Sequence, residues 1–141
     1  MKFVDKQLAL KLKEKGFDKP CFGYYQEDEF ILNRTSIHLP FGGNISDTMI
    51  LHQGENDIVD VPTIEQVLEW FREDKKIHIS INVLSSANKN FMCKQEPRLL
   101  FDVRVSYFEK EVFNYHELAE PYFKYEDACI AGIEYAINNL I

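Results

Sequence analysis

An α+β fold is predicted: an antiparallel sheet of about 4–6 strands, with three helices packed mainly on one face. Three observations predict it. Apolar residues recur at helical spacing over about 5–16, 63–76 and 125–140. Between these segments the period switches to two, most clearly over Ile77–Val83 and Arg98–Tyr107. Those period-two runs have one polar side, as an antiparallel sheet with one face in water requires. The predicted order is α–β–β–(β)–α–β–(β)–β–α.

The first helix starts at Asp5, a residue suited to capping a free backbone N–H, and carries Leu8, Ala9 and Leu12 on one side. Gly16 suits the left-handed position after its end, Phe17 can fold back on the last turn, and Pro20 bars continuation. Cys21–Gln26 and Phe30–Arg34 read as a hairpin closed by the acidic turn Glu27–Asp28–Glu29. Residues 35–62 are the least regular, with Met49–Leu51 as the one strand-like run and Phe41–Gly42–Gly43–Asn44 as a plain turn.

The second helix opens with Thr63 and Gln66 at capping-box spacing, directly after Pro62. Ile64, Val67, Leu68 and Phe71 form its apolar stripe, widened by Trp70. After the Ile77–Val83 strand, Ser85–Asn90 reads as a polar turn, Phe91–Lys94 as a short strand, and the chain after Tyr107 as a loop through Pro121. Ala128, Cys129, Ile133, Ala136, Ile137 and Leu140 face inward on the closing helix, where Gly132 permits close approach to the sheet.

With 141 residues, 45% of them hydrophobic, the chain suits a single domain over residues 1–141, with no need of a disulfide or metal to hold its core. Cys21, Cys93 and Cys129 are odd in number and form no C-x-x-C, so each reads as a small buried hydrophobe in a reducing compartment. The N-terminus has no apolar stretch of the signal-peptide kind, and no apolar run is long enough for a membrane span, so a cytoplasmic chain is expected. The net charge of −7 disfavours a general nucleic-acid binder. That charge is regional: residues 1–25 hold six lysines against three acids, whereas residues 26–62 hold seven acids against one arginine.

Three stretches together resemble a known family. They are Ala9–Cys21 continuing into Phe22–Gly23–Tyr24–Tyr25; Pro62–Thr63 with Gln66–Glu73 and the Ile77–Ile81 strand; and Tyr125–Ala128 leading to Gly132–Ile133 and Ala136–Ile137. Their order and spacing are similar to those of small uncharacterised proteins of Bacteroidetes genomes, prophages and mobile elements. The resemblance covers roughly half of the chain and leaves out 26–60 and 85–123. It departs at Lys124, where Thr or Ser would cap the last helix. It implies a mobile-element context and a host- or element-encoded partner protein, and it carries no activity.

No catalytic motif is present: G-x-S-x-G, Walker A and H-E-x-x-H are all missing. His52 with Glu55, Asp57 and Asp60 is the densest set of potential metal ligands, but it lacks the calcium-loop pattern and reads as a solvated acidic loop. No metal, cofactor or catalytic residue is therefore expected. The candidate binding face is the polar side of the two clearest strands: His78, Ser80 and Asn82 beside Asp102, Arg104 and Ser106, with Phe22 and Tyr24 or Tyr25 at its border. A non-enzymatic interaction protein is the leading expectation. A nucleic-acid module using this face, or a small-ligand protein or enzyme, are the alternatives.

Overall fold

The computed structural model describes residues 2–39, 42–54, 57–84, 99–119 and 121–141, and in it each helix begins within one residue of its expected start. Helix α1 is Lys6–Glu14; the Asp5 carboxylate accepts the Leu8 N–H at 2.8 Å, and Leu8, Ala9 and Leu12 are buried. Gly16 takes the left-handed conformation (φ 93°) that ends it, and the Phe17 N–H donates back to the Leu12 carbonyl at 2.9 Å.

Helix α2 is Ile64–Trp70. Thr63 N–H donates to Gln66 Oε1 at 3.0 Å, and Gln66 N–H donates to Thr63 Oγ1 at 3.2 Å, so the capping box is formed in both directions. The predicted helix runs on only as a wider π-helical turn, Phe71–Lys75. Lys76, left-handed at φ 57°, stops it, and the Ile77 N–H returns to the Phe71 carbonyl at 2.9 Å. Helix α3 is Tyr125–Asn139, and Lys124 gives it no side-chain cap.

The class is α+β, with every named strand pair antiparallel. The chain forms two compact units, Met1–Gln66 and Val67–Ile141. In the first, β1 (Gly23–Gln26), β2 (Glu29–Leu32) and β5 (Ile58–Val61) make a sheet of order β2-β1-β5. Strands β3 (Arg34–Leu39) and β4 (Gly42–Asp47) pair separately as a hairpin. Helix α1 packs on β5. Lys6 donates to Asp28 at 3.1 Å and to the Glu27 carbonyl, so part of the basic first segment meets the acidic hairpin turn. Asp28 is fully exposed, so this pair adds little stability.

In the second unit, β6 (His78–Leu84), β7 (Leu100–Glu109) and β8 (Val112–Glu117) make a sheet of order β6-β7-β8. Helix α3 packs on β6 and β7. The approach is close because Gly132 has no side chain: a Cβ there would lie 2.6 Å from Ile79 Cγ2 and 3.0 Å from Val103 Cγ1. Val103, Val105, Ile133 and Ala136 are all at most 1% exposed.

Several expectations need correction. The strands divide among two three-stranded sheets and one hairpin, so no single ladder reaches four strands among the described residues. Residues 35–62 are far more regular than their Gly, Asn and polar content suggests, since β3, β4 and β5 all fall within or across them. Gly42, Gly43 and Asn44 belong to β4, so the plain-turn reading fails for them; Phe41 lies outside the described residues. Of Met49–Leu51, only Ile50 pairs, as an isolated bridge to Cys21. The loop expected after Tyr107 holds the end of β7 and all of β8. The polar turn Ser85–Asn90 and the strand Phe91–Lys94 lie outside the described residues.

Candidate functional site

Side chains alternate along a strand, and directly paired residues of neighbouring strands share a face. The register pairs His78 with Ser106, Ser80 with Arg104, and Asn82 with Asp102. All six residues singled out from the sequence therefore stand on one face, in two parallel rows. Ser80 Oγ donates to the Arg104 carbonyl at 3.3 Å, tying the rows together.

Strand β8 adds a third row. It pairs Phe108 with Phe113, Ser106 with Tyr115, and Arg104 with Glu117, so Phe113, Tyr115 and Glu117 join the same face. Arg104 Nε donates to Glu117 Oε1 at 3.1 Å, and its guanidinium carbon lies 4.7 Å from the Tyr115 ring centroid. The hydrogen bond to Glu117 is the main reason that the guanidinium is held above its ordinary range. Phe108 and Phe113 meet edge to face, 5.6 Å between centroids.

These aromatics are open to solvent: Phe108 is 64%, Phe113 59% and Tyr115 58% exposed. The other end of the face is partly closed, although Asn82 is exposed there. Leu100 on that side is 3% exposed, and Asp102 Oδ1 is enclosed with no hydrogen-bond partner among the described residues. The open half is thus built by Arg104 and Phe108 with β8, together with His78 and Ser80, while Ser106 itself is buried. Around the end of β7 a groove of about 340 Å³ runs past Lys76, Tyr107, Tyr135 and Asn139, and Phe108 forms part of its lining. On the opposite side of the sheet, His116 stacks flat on Tyr135 of α3 at 4.4 Å.

Tyr24 and Tyr25, expected as an aromatic border, belong to β1 in the sheet of the first unit. The alternation Val112–Phe113–Asn114–Tyr115 was the available signal for β8. It was obscured because the turn before it, Lys110–Glu111, carries no Gly or Asn although both residues are left-handed (φ 49° and 66°).

The second place where polar groups converge is in the first unit. Asp60, on β5, accepts the His52 N–H at 2.8 Å on Oδ2 and meets His52 Nδ1 at 2.6 Å on Oδ1. The two side chains are only 12% and 15% exposed, so the solvated-loop reading fails for this pair, while Asp57 is exposed and Glu55 lies outside the described residues. The Tyr24 ring packs 4.7 Å from the imidazole. A cavity of about 40 Å³ beside the pair, edged by Lys13, Phe17 and Leu51, has room for little more than a water. Among the described residues, no group of three His, Cys, Asp or Glu side chains stands ready to hold a metal.

Cys21 is buried nearby in sequence and charge. Burial, and secondarily the negative charge of Asp60, push its thiol up to about 12. Its Sγ donates to the Lys19 carbonyl at 3.3 Å. A thiol kept protonated is a poor nucleophile, so Cys21 is not an activated partner for the His52–Asp60 pair. Cys21 is expected to resist a disulfide reagent at pH 8 in the folded chain and to react once denaturant is added; fast labelling without denaturant would contradict its burial. In the unfolded chain the thiol ionises near its ordinary value, about 8.5. Stability linked to Cys21 is therefore complete below that pH and falls as pH rises toward 12.

No helix among the described residues is long and apolar enough to cross a membrane. The chain matches no protein-family model, no curated protein and no solved structure.

Proposed function

We propose that this chain is a non-enzymatic interaction protein, binding a partner protein through the open half of the β6-β7-β8 face. The observation that carries the reading is the exposed cluster of Phe108, Phe113 and Tyr115 around the Arg104–Glu117 pair. Aromatics and Arg are the side chains enriched where binding energy concentrates in protein interfaces, and contiguous exposed aromatics are rare on surfaces without a partner. The groove that Phe108 helps to line gives an incoming side chain a concave seat. The family resemblance makes a host- or element-encoded protein the partner class, in a bacterial or phage setting.

Aromatic sheet faces also bind single-stranded RNA, but there cations face the phosphates. Here the central Arg104 is already engaged by Glu117, and the chain carries −7 overall. Protein contact is the better fit.

The test compares the full chain with Phe113→Lys in affinity capture from a bacterial lysate of the source type. A protein recovered by the parent and reduced at least about tenfold by the substitution supports the reading. Repeated capture without any protein that distinguishes the two overturns it. Gel shifts with single- and double-stranded probes at low salt check the competing reading, for which retarded mobility is required.

A further inference from the structure

We infer that β8 is a self-association edge, pairing antiparallel with β8 of a second copy so that the two sheets become one. The inference uses the edge of the sheet, whereas the partner reading uses its face, so either can fail without the other.

Strand β8 is the outer strand of its sheet among the described residues, and Val112, Phe113, Tyr115, His116 and Glu117 are all exposed. Natural sheets protect such edges with Pro, Lys, inward charges or bulges. The segment Val112–Glu117 contains none of them. Its register with β7 runs unbroken from Glu109↔Val112 to Arg104↔Glu117, and its one formal charge, Glu117, is engaged by Arg104.

The direction of the free backbone groups follows from the turn. In a two-residue hairpin the closing pair, here Glu109 and Val112, exchanges hydrogen bonds, and the pattern then alternates. Val112, Asn114 and His116 therefore turn their backbone groups toward β7; the Leu118 N–H donating to the Val103 carbonyl at 3.0 Å continues that alternation. Phe113, Tyr115 and Glu117 turn theirs outward.

A second β8 meets these groups best with Tyr115 on the two-fold axis. Tyr115 then pairs with itself, Phe113 with Glu117 of the second copy, and Asn114 with its His116. Every outward group on Phe113, Tyr115 and Glu117 is used, and no like charges oppose. Moving the axis to Asn114 sets Glu117 against Glu111 of the second copy and leaves Glu117's outward groups without a strand partner, so that register is disfavoured. In the favoured register the open faces of both copies lie on the same side, and their aromatic clusters join. A second copy is preferred to an unrelated strand because the edge is self-complementary without any outside charge or sequence.

Sedimentation equilibrium of the full chain, from micromolar to sub-millimolar concentration, is expected to show a monomer–dimer equilibrium. Each copy carries −7, so added salt is expected to tighten it. Tyr115→Pro removes from the backbone only an outward N–H, as edge strands tolerate, along with a solvent-exposed ring, and is expected to weaken association by about tenfold or more with an unchanged circular dichroism spectrum. Tyr115→Cys in a Cys93→Ser background reads the register independently of that variant. Residues paired through hydrogen bonds on antiparallel strands have Cα atoms about 5.5 Å apart, within disulfide reach, so oxidation is expected to give a covalent dimer. Phe113→Cys in the same background is expected to form no covalent dimer under the same oxidation, because its two copies stand opposite Glu117 and not each other. A parent chain that is monomeric throughout overturns the inference. So does a dimer that Tyr115→Pro leaves intact, or a Tyr115→Cys chain that fails to cross-link.

Discussion

Phe71→Ala is expected to destabilise the chain by about 3–5 kcal/mol, the usual cost of deleting a large buried aromatic. Phe71 is the largest of the fully buried side chains among the described residues, at 0% exposure, and it packs beside Trp70 with centroids 5.1 Å apart. It also starts the π-helical turn, and its carbonyl receives the Ile77 N–H that leads into β6. A cavity at this point therefore loosens both the end of α2 and the entry to the sheet. Since small domains are stable by only about 5–15 kcal/mol, the variant is expected to be partly unfolded at physiological temperature. Urea unfolding followed by circular dichroism measures the loss; a change below about 1 kcal/mol would show that the site collapses around the smaller side chain.

Gly132→Leu is the second large effect, for the opposite reason. The Cβ alone would stand 2.6 Å from Ile79 Cγ2, closer than side chains pack, and the remaining atoms have to displace α3 from β6 and β7. The expected loss is about 3 kcal/mol, at the upper end of overpacking. Gly132→Ala separates the terms. Alanine gains about 1 kcal/mol in helix propensity but still meets Ile79, so its net loss is expected to be about 1 kcal/mol, measured in the same urea experiment. An alanine variant more stable than the parent would mean that the helix shifts freely on the sheet.

The legible parts of this fold are those whose determinants are local. Asp5, the Thr63–Gln66 box and Gly16 act within a turn of their own position, and α1 and α2 begin or end at them. The same holds for the polar rows of β6 and β7, because period two is imposed by the backbone of the strand itself. What was illegible depends on partners distant in sequence. Strand β5 exists by pairing with β1, thirty-odd residues away, and its Asp60 can be mostly covered because His52 satisfies it. From sequence, that carboxylate is indistinguishable from its exposed neighbour Asp57. Strand β8 escaped because left-handed Lys110 and Glu111 do a job normally signalled by Asn-Gly, and with it went the aromatic third of the candidate face.

The boundary between the units falls inside α2, after Gln66. The capping box that starts the helix is encoded on one side of that boundary, and Val67, Trp70 and Phe71, which its continuation buries, are encoded on the other. Gene recombination at this joint would hand one descendant a cap with no helix and the other a helix with no start. The two units are thus poor candidates for shuffling as separate modules, and inheritance is expected to have kept them together.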